Sequence, residues 1–253
     1  MQAGDIRDRY LDFMIRVLAN TIYEDPAMDP WHRNVFDPST RNVGADWPST
    51  AHTMVGLTRL RHLRDLVQRT LDDGIAGDYI ETGAWRGGCC ILIKGVLAAN
   101  GDRERKVYVA DSFEGLPSGN ADRYAADAGD IHHQFRQLAV PLDEVRGNFA
   151  RYDLLDSRVV FVKGFFEHTL PALDAGPFAL VRLDGDMYES TIVALDALYP
   201  KLSPGGYLVI DDYGAVEACR KAVTDYRERE GITTALETID WTGVYWRKPA
   251  VGA

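Results

Sequence analysis

Apolar residues recur at helical spacing near the start of the chain. Tyr10, Phe13, Met14, Val17 and Leu18 predict an amphipathic helix over Ile6–Ile22. A polar stretch follows from Tyr23 to Ser49, with Pro26, Pro30, Pro38 and Pro48 inside it. It is long for a loop, and long loops often act as lids or binding segments. A second helix is expected from about Ala51 to Leu71, with Ser49 or Thr50 as its cap and Gly74 and Gly77 closing it. From Tyr79 onward short apolar runs alternate with helical ones. Strands are expected at 79–82, 107–110, 159–162, 178–183 and 207–210, and helices at 88–100, 142–152, 189–199 and 215–229. Pro141 suits the first turn of the 142–152 helix. Ser112–His133 is polar and turn-rich, a second candidate lid. Two closing segments, 235–239 and 244–246, are joined by a turn at Trp241–Gly243, too short for a helical crossover, so they should pair antiparallel.

This alternation predicts an α/β fold: a doubly wound, Rossmann-like, seven-stranded sheet, mostly parallel with an antiparallel final strand and helices on both faces. A single domain over 1–253 is expected, with 1–73 forming N-terminal helices and a lid segment and 78–248 the core. The composition agrees with a globular protein: 46% hydrophobic and 26% charged. A net charge of -10 argues against nucleic acid as the main partner, because phosphate neutralisation needs clustered Lys and Arg. No run approaches the roughly 18 apolar residues of a membrane span, and the charged N-terminus does not read as a secretory signal. Cys89, Cys90 and Cys219 have no metal or disulfide spacing, which points to a reducing cytoplasm and to buried thiols.

In open α/β sheets ligands bind beyond the carboxyl ends of the strands, and polar residues gather there. Asp78–Gly88 reads D-Y-I-E-T-G-A-W-R-G-G: a strand ending on Glu81, a glycine turn, then a helix. Gly83 and Gly88 fit the first and third glycines of a dinucleotide fingerprint, but Trp85 stands where the second should be. An indole there obstructs a pyrophosphate. The turn suits a ligand with an adenosine and no diphosphate, such as S-adenosylmethionine. Asp111, ending the second strand, fits ribose hydroxyls, because a carboxylate accepts two hydrogen bonds from a vicinal diol; the other reading is an Asx turn before Ser112. Asp184-Gly185-Asp186 ends the fourth strand and Asp211-Asp212 the fifth. Three or four carboxylates should converge between these neighbouring strands, and a hard cation such as Mg²⁺, Mn²⁺ or Ca²⁺ would offset their repulsion. Otherwise Asp212 caps the following helix and the rest face solvent. Trp85 and the Phe165-Phe166 pair are candidates to border an adenine. Thr53 and Met54 begin the expected second helix, whose positive end suits a carboxylate. His132 and His133 lie in the second loop, where exposure is the simpler reading.

The stretches P-S-T-A-H-T-M (48–54), E-T-G-A-W-R-G-G (81–88), V-A-D-S-F-E-G-L-P (109–117), R-L-D-G-D-M-Y-E-S-T (182–191), L-S-P-G-G-Y (202–207), I-D-D-Y (210–213) and G-V-Y-W-R (243–247) occur in order. Together they resemble the macrocin O-methyltransferase family, from about Tyr10 to Lys248. The resemblance implies a class I S-adenosylmethionine-dependent methyltransferase, with Mg²⁺ or another divalent cation as a second cofactor. It implies a small-molecule glycoside as substrate, methylated on a deoxysugar hydroxyl of a secondary metabolite in antibiotic biosynthesis. A homo-oligomer is expected separately, with the N-terminal amphipathic helix packed on a neighbouring subunit; packing on its own domain is the other reading. Carried over by position, Glu81, Thr82, Gly83, Trp85, Arg86, Gly87 and Gly88 line the cofactor, as do Gly164, Phe165 and Asp184. Asp111 and Ser112 stand at the ribose, and Thr53 and Met54 at the methionine end. Asp186, Asp211 and Asp212 match the metal carboxylates and Asp186 the base, with Asp184 the alternative for the metal. A metal-dependent catechol or phenol O-methyltransferase presents the same paired oxygens and is the alternative activity. An NAD-dependent oxidoreductase and a non-catalytic binding protein are more distant readings.

Overall fold

The computed structural model describes residues 3–250. Three helices precede the sheet: α1 (Ala3–Leu18), α2 (Pro38–Val43) and α3 (Leu57–Asp72). Then β1 (Asp78–Thr82), α4 (Gly88–Ala99), β2 (Val107–Asp111), α5 (Leu142–Arg151), β3 (Val159–Lys163), α6 (Phe166–Thr169), β4 (Phe178–Leu183), α7 (Tyr188–Leu198), β5 (Leu202–Ile210), α8 (Glu217–Arg229), β6 (Glu237–Thr238) and β7 (Val244–Arg247) follow. The seven strands run in the order β3-β2-β1-β4-β5-β7-β6. β1 to β5 pair in parallel, and β7 runs antiparallel to both β5 and β6. β4 is buried along its whole length, as a strand covered on both faces must be.

One face of the sheet packs under α1, α3, α4 and α5, through residues such as Leu11, Leu63, Ile91 and Phe149. The other packs under α7 and α8, through Leu195, Leu198, Val223 and Tyr226. Strand order reverses between β1 and β4, so the crevice beyond their carboxyl ends is where a ligand is received. No helix among the described residues is long and apolar enough to cross a membrane.

Two boundaries differ from expectation. The second helix starts at Leu57, with Gly56 as its cap, rather than near Ala51. The intervening backbone is committed elsewhere. Thr50 and Ala51 N–H donate to the Asp25 carboxylate (2.5 and 3.0 Å), and His52 N–H donates to the Leu18 carbonyl (2.9 Å). Thr53 and Met54 therefore lie in an extended segment before the helix. The first helix ends at Leu18, and Asn20 then adopts a left-handed conformation (φ 50°). The first polar stretch holds a short helix, α2, capped by Asp37 with Pro38 in its first turn.

Candidate active site

The glycine turn is forced by contact. A Cβ at Gly83 (φ +79°) would lie 1.6 Å from the Asp184 carbonyl oxygen, so β1 and β4 approach as closely as they do only with glycine there. Gly88 N–H donates to the His52 carbonyl (2.9 Å), and a Cβ there would meet the same oxygen at 2.4 Å. Trp85 takes a left-handed φ of 47°, which costs a non-glycine residue roughly 1–2 kcal/mol. Three contacts hold it: its N–H on Asp111 (3.1 Å), its indole N–H on the Gln137 carbonyl (2.9 Å), and the Arg86 guanidinium 4.1 Å above the ring.

This turn opens on a cleft of about 830 Å³, counting the solvent-open space at its mouth. Thr53, Met54, Glu81, Gly83, Trp85, Asp111, Ser112, Phe165, Asp184 and Asp186 all line it. Thr82, Arg86, Gly87, Gly88 and Gly164 are not among its lining residues. Arg86 instead binds the Pro48 and Ala51 carbonyls (3.0 and 2.8 Å), fastening the first polar segment to the turn. The Thr82 hydroxyl is buried without a partner. Leu116, Pro117, Leu138 and Ser190 also line it and were not singled out as site residues from the sequence.

Asp111 serves the turn as well as the cavity. Its carboxylate accepts the N–H groups of Ala84 (2.8 Å), Trp85 (3.1 Å) and Phe113 (2.7 Å). The Asx reading and a ligand-facing position therefore coexist, and a diol would meet only the lone pairs left over. Burial raises the Asp111 pKa, and the backbone N–H groups oppose that shift.

Behind the cavity the acids meet. Oxygens of Asp184, Asp211 and Asp212 lie within 4.8 Å of one another. Asp186 is not in that group; its backbone N–H donates to Asp212 (3.1 Å) while its side chain lines the cavity. The backbone explains the difference from the expected set. Asp184 continues β4, whereas Asp186 sits in a left-handed turn (φ 54°) that redirects it. Burial first, then the Asp211 charge, pushes the Asp184 pKa up to about 8. Asp212 is driven well above the usual carboxylate range by burial and by Asp186 and Asp184. Asp186 is raised chiefly by burial, with His132 opposing.

Two buried arginines brace this cluster. Arg182, on β4, donates to Glu81 (2.5 Å), to Asp184 (2.8 Å) and to Asp211. Arg59, on α3, donates to the other Asp211 oxygen and to Asp240 (3.0 Å). Glu81 is thereby a fully buried ion-pair partner that also accepts the Cys90 thiol (2.8 Å). Removing one member of such a pair strands a buried charge, at a cost of about 3–5 kcal/mol. A lone arginine in the apolar run F-A-L-V-R-L was a legible sign of a buried acid partner; Arg59, among many charged helix residues, gave none. The donor set fits a hard cation: it is all oxygen, and burial first, then the neighbouring carboxylates, pushes Asp184 and Asp212 towards protonation.

The chain matches the family model described as Macrocin-O-methyltransferase (TylF) over residues 7–248. It is 52% identical to the 8-demethyl-8-(2,3-dimethoxy-alpha-L-rhamnosyl)-tetracenomycin-C 4'-O-methyltransferase of Streptomyces olivaceus, across 98% of this chain and 96% of that protein. It is 47% identical to the demethyldecarbamoylnovobiocin O-methyltransferase of Streptomyces niveus, across 94% and 93%. With the mycinamicin III 3''-O-methyltransferase of Micromonospora griseorubida it shares 44% identity, across 95% and 96%. Among solved structures, that of the O-methyltransferase NovP superposes with a TM-score of 0.92 at 48% identity, covering 96% of this chain and 99% of NovP. The calicheamicin methyltransferase CalS11, at 19% identity and a TM-score of 0.62, shares the fold.

Proposed function

Since the chain belongs to the macrocin O-methyltransferase family and is an S-adenosylmethionine-dependent O-methyltransferase, we propose that it methylates a deoxysugar hydroxyl of a glycosylated secondary metabolite. The relatives named above, 44–52% identical over nearly the whole chain, are O-methyltransferases of a rhamnosyl tetracenomycin, of demethyldecarbamoylnovobiocin and of mycinamicin III, and the first of these names a sugar. The observation that carries the reading is that Asp184 and Asp186 line the same cavity as the glycine turn. A donor bound at the turn would therefore share one pocket with these acids.

In this reading Glu81, Gly83, Trp85, Asp111, Ser112, Phe165 and Asp184 surround the donor, and Thr53 and Met54 cover its methionine end. Asp211 and Asp212 hold Mg²⁺ or another divalent cation, with Asp184 or Asp186 as the third ligand. Asp184 belongs to the compact group and Asp186 is linked to it through Asp212. When bound, S-adenosylmethionine supplies the sulfonium methyl, and the cation lowers the pKa of a hydroxyl oxygen it ligates. Asp186 would accept the proton of the hydroxyl that is methylated. Burial raises its pKa, which makes the carboxylate a stronger proton acceptor. Charge is quenched in the transfer, so the two polar segments help by keeping water out.

Asp186→Asn should lower turnover at least 100-fold, the usual contribution of a general base, while S-adenosylhomocysteine affinity measured by calorimetry stays near wild type. Unchanged turnover would remove Asp186 as base. An acceptor screen read by mass spectrometry, with and without EDTA, tests the rest. Methylation of rhamnosides and not catechols, abolished by EDTA and restored by Mg²⁺, is the expected outcome. Preference for catechols would replace the sugar, and full activity in metal-free enzyme would remove the cation.

The same reading includes cytoplasmic location, in keeping with three free buried cysteines, and a homo-oligomer. Ile6, Tyr10 and Phe13 form an exposed apolar stripe on α1 that another subunit would cover. Sedimentation velocity should show an assembly that Phe13→Glu weakens; a wild-type monomer at micromolar concentration would end that part of the reading.

A further inference from the structure

Three aromatic rings from the two polar segments meet outside the cavity, whose lining includes none of them, and the reaction described above uses none of them. Trp31 and Trp47, from the segment between α1 and α3, have ring centroids 5.0 Å apart. Phe135, from the turn-rich segment after β2, stands 5.8 Å from Trp31 and 5.2 Å from Trp47. All three pairs meet edge to face, at interplanar angles of 69°, 90° and 79°. The arrangement is fixed from behind by Asp29. Its buried carboxylate accepts the backbone N–H groups of Trp31 (3.2 Å) and Trp47 (3.0 Å). Even so, Trp31 leaves 57% of its surface in water. A rigidly held, exposed indole that completes no core is a surface prepared for something else.

The rings adjoin the site on both sides. Phe135 heads the 3-10 turn Arg136–Leu138, in which the Gln137 carbonyl takes the Trp85 indole N–H and Leu138 lines the cofactor cavity. The His132 ring lies 6.5 Å from Phe135 and within electrostatic reach of Asp186. On the other side Arg86 holds the Pro48 carbonyl next to Trp47 (3.0 Å) and reaches the Met28 sulfur (3.8 Å).

We propose that Trp31, Trp47 and Phe135 form the subsite for the part of the acceptor that is not methylated, and that this part is a flat aromatic ring system. The inference rests on the sugar-methylation reading. A sugar that reaches Asp186 leaves its aglycone at the rim, where the two segments meet. Ring faces and edges set at steep angles suit a planar π-system, which stacks on one ring while its edge meets another. The indoles lose little side-chain entropy on binding because each has only two χ angles and already packs edge to face against its neighbours. A puckered aliphatic lactone has no flat face to offer such a surface.

Calorimetry on the intact enzyme saturated with S-adenosylhomocysteine tests this, with neutral 2-(hydroxymethyl)anthraquinone as the aromatic probe and erythronolide B as the aliphatic one. The anthraquinone should bind wild type. It should bind Trp31→Ala and Phe135→Ala about tenfold more weakly, the scale of one or two aromatic contacts, and Trp31→Phe within about threefold. Erythronolide B should bind more weakly than the anthraquinone. S-adenosylhomocysteine affinity, equal in all variants, reports an intact fold. The proposal is overturned if anthraquinone fails to bind wild type, binds Trp31→Ala equally, or binds no better than the lactone. It is also overturned if Trp31→Ala dissociates an oligomer without changing ring binding, which would assign the rings to a subunit contact. Failure of the sugar reading looks different: the anthraquinone binds through Trp31, yet no rhamnoside accepts a methyl group.

Discussion

His62 sits under the Tyr245 ring (centroids 4.5 Å apart) with a buried Nδ1 that has no hydrogen-bond partner. Burial first, then Arg69, lowers its pKa from 6.5 to about 4. A base depressed in this way contributes stability that is complete above pH 6.5 and is lost as the pH falls towards about 4. His62→Phe keeps a ring against Tyr245 and discards the orphan nitrogen, so it should raise the Tm, by more at pH 4.5 than at pH 7. The difference between variant and wild type is the quantity to measure by circular dichroism, because Asp184 pulls the other way over the same window. A constant difference across that range would mean His62 does not titrate there. At this scale the sequence was legible wherever a residue had one possible role. Gly83 and Gly88 read as turn glycines, and the acids at the strand ends read as a cluster. It did not separate Asp184 from Asp186, because two residues of spacing say nothing about the left-handed turn between them.

Both polar segments prove to be fastened elements. The first is pinned by Arg41, fully buried, which binds Asp25 (2.7 Å) and Asp46 (2.8 Å). The second is tied to α7 by Asp127, whose carboxylate accepts the N–H groups of Tyr188 (2.7 Å) and Glu189 (3.0 Å), just after the D-G-D turn. Asp127→Ala removes this cap, worth about 1 kcal/mol, and loosens the wall beside Asp186. The acceptor KM should rise several-fold while S-adenosylhomocysteine binding changes little; an unaltered KM would show that the tie has no part in acceptor binding. Prolines in the first stretch and turn residues in the second marked them as loops, but a partner such as Asp127 to Tyr188 is distant in sequence and leaves no local pattern. The same reason hid the true start of α3, whose upstream residues are claimed by Asp25, while α2 was announced by Asp37-Pro38 and could have been read.

Across the whole molecule the parallel sheet, its order reversal between β1 and β4, and the antiparallel β7 follow from alternation and from the short final connection. These features depend on many residues agreeing, so single errors at helix ends did not disturb them. Helices on each face contribute to the cores that flank one sheet. We expect residues 1–253 to unfold as one unit, with calorimetric and van't Hoff enthalpies that agree; two separated transitions would divide the N-terminal helices from the remainder.

Arg59 touches the Val43 and Gly44 carbonyls at the end of α2 (3.4 Å each), Asp240 in the β6–β7 turn, and Asp211. Trp241 in that turn also donates its indole N–H to Val43 (2.8 Å). A chimera that swaps segment 23–49 between family members to change selectivity therefore cuts through a shared junction. Crossovers that carry Arg59 and residues 240–243 along with the graft should retain catalysis, and those that split them should not.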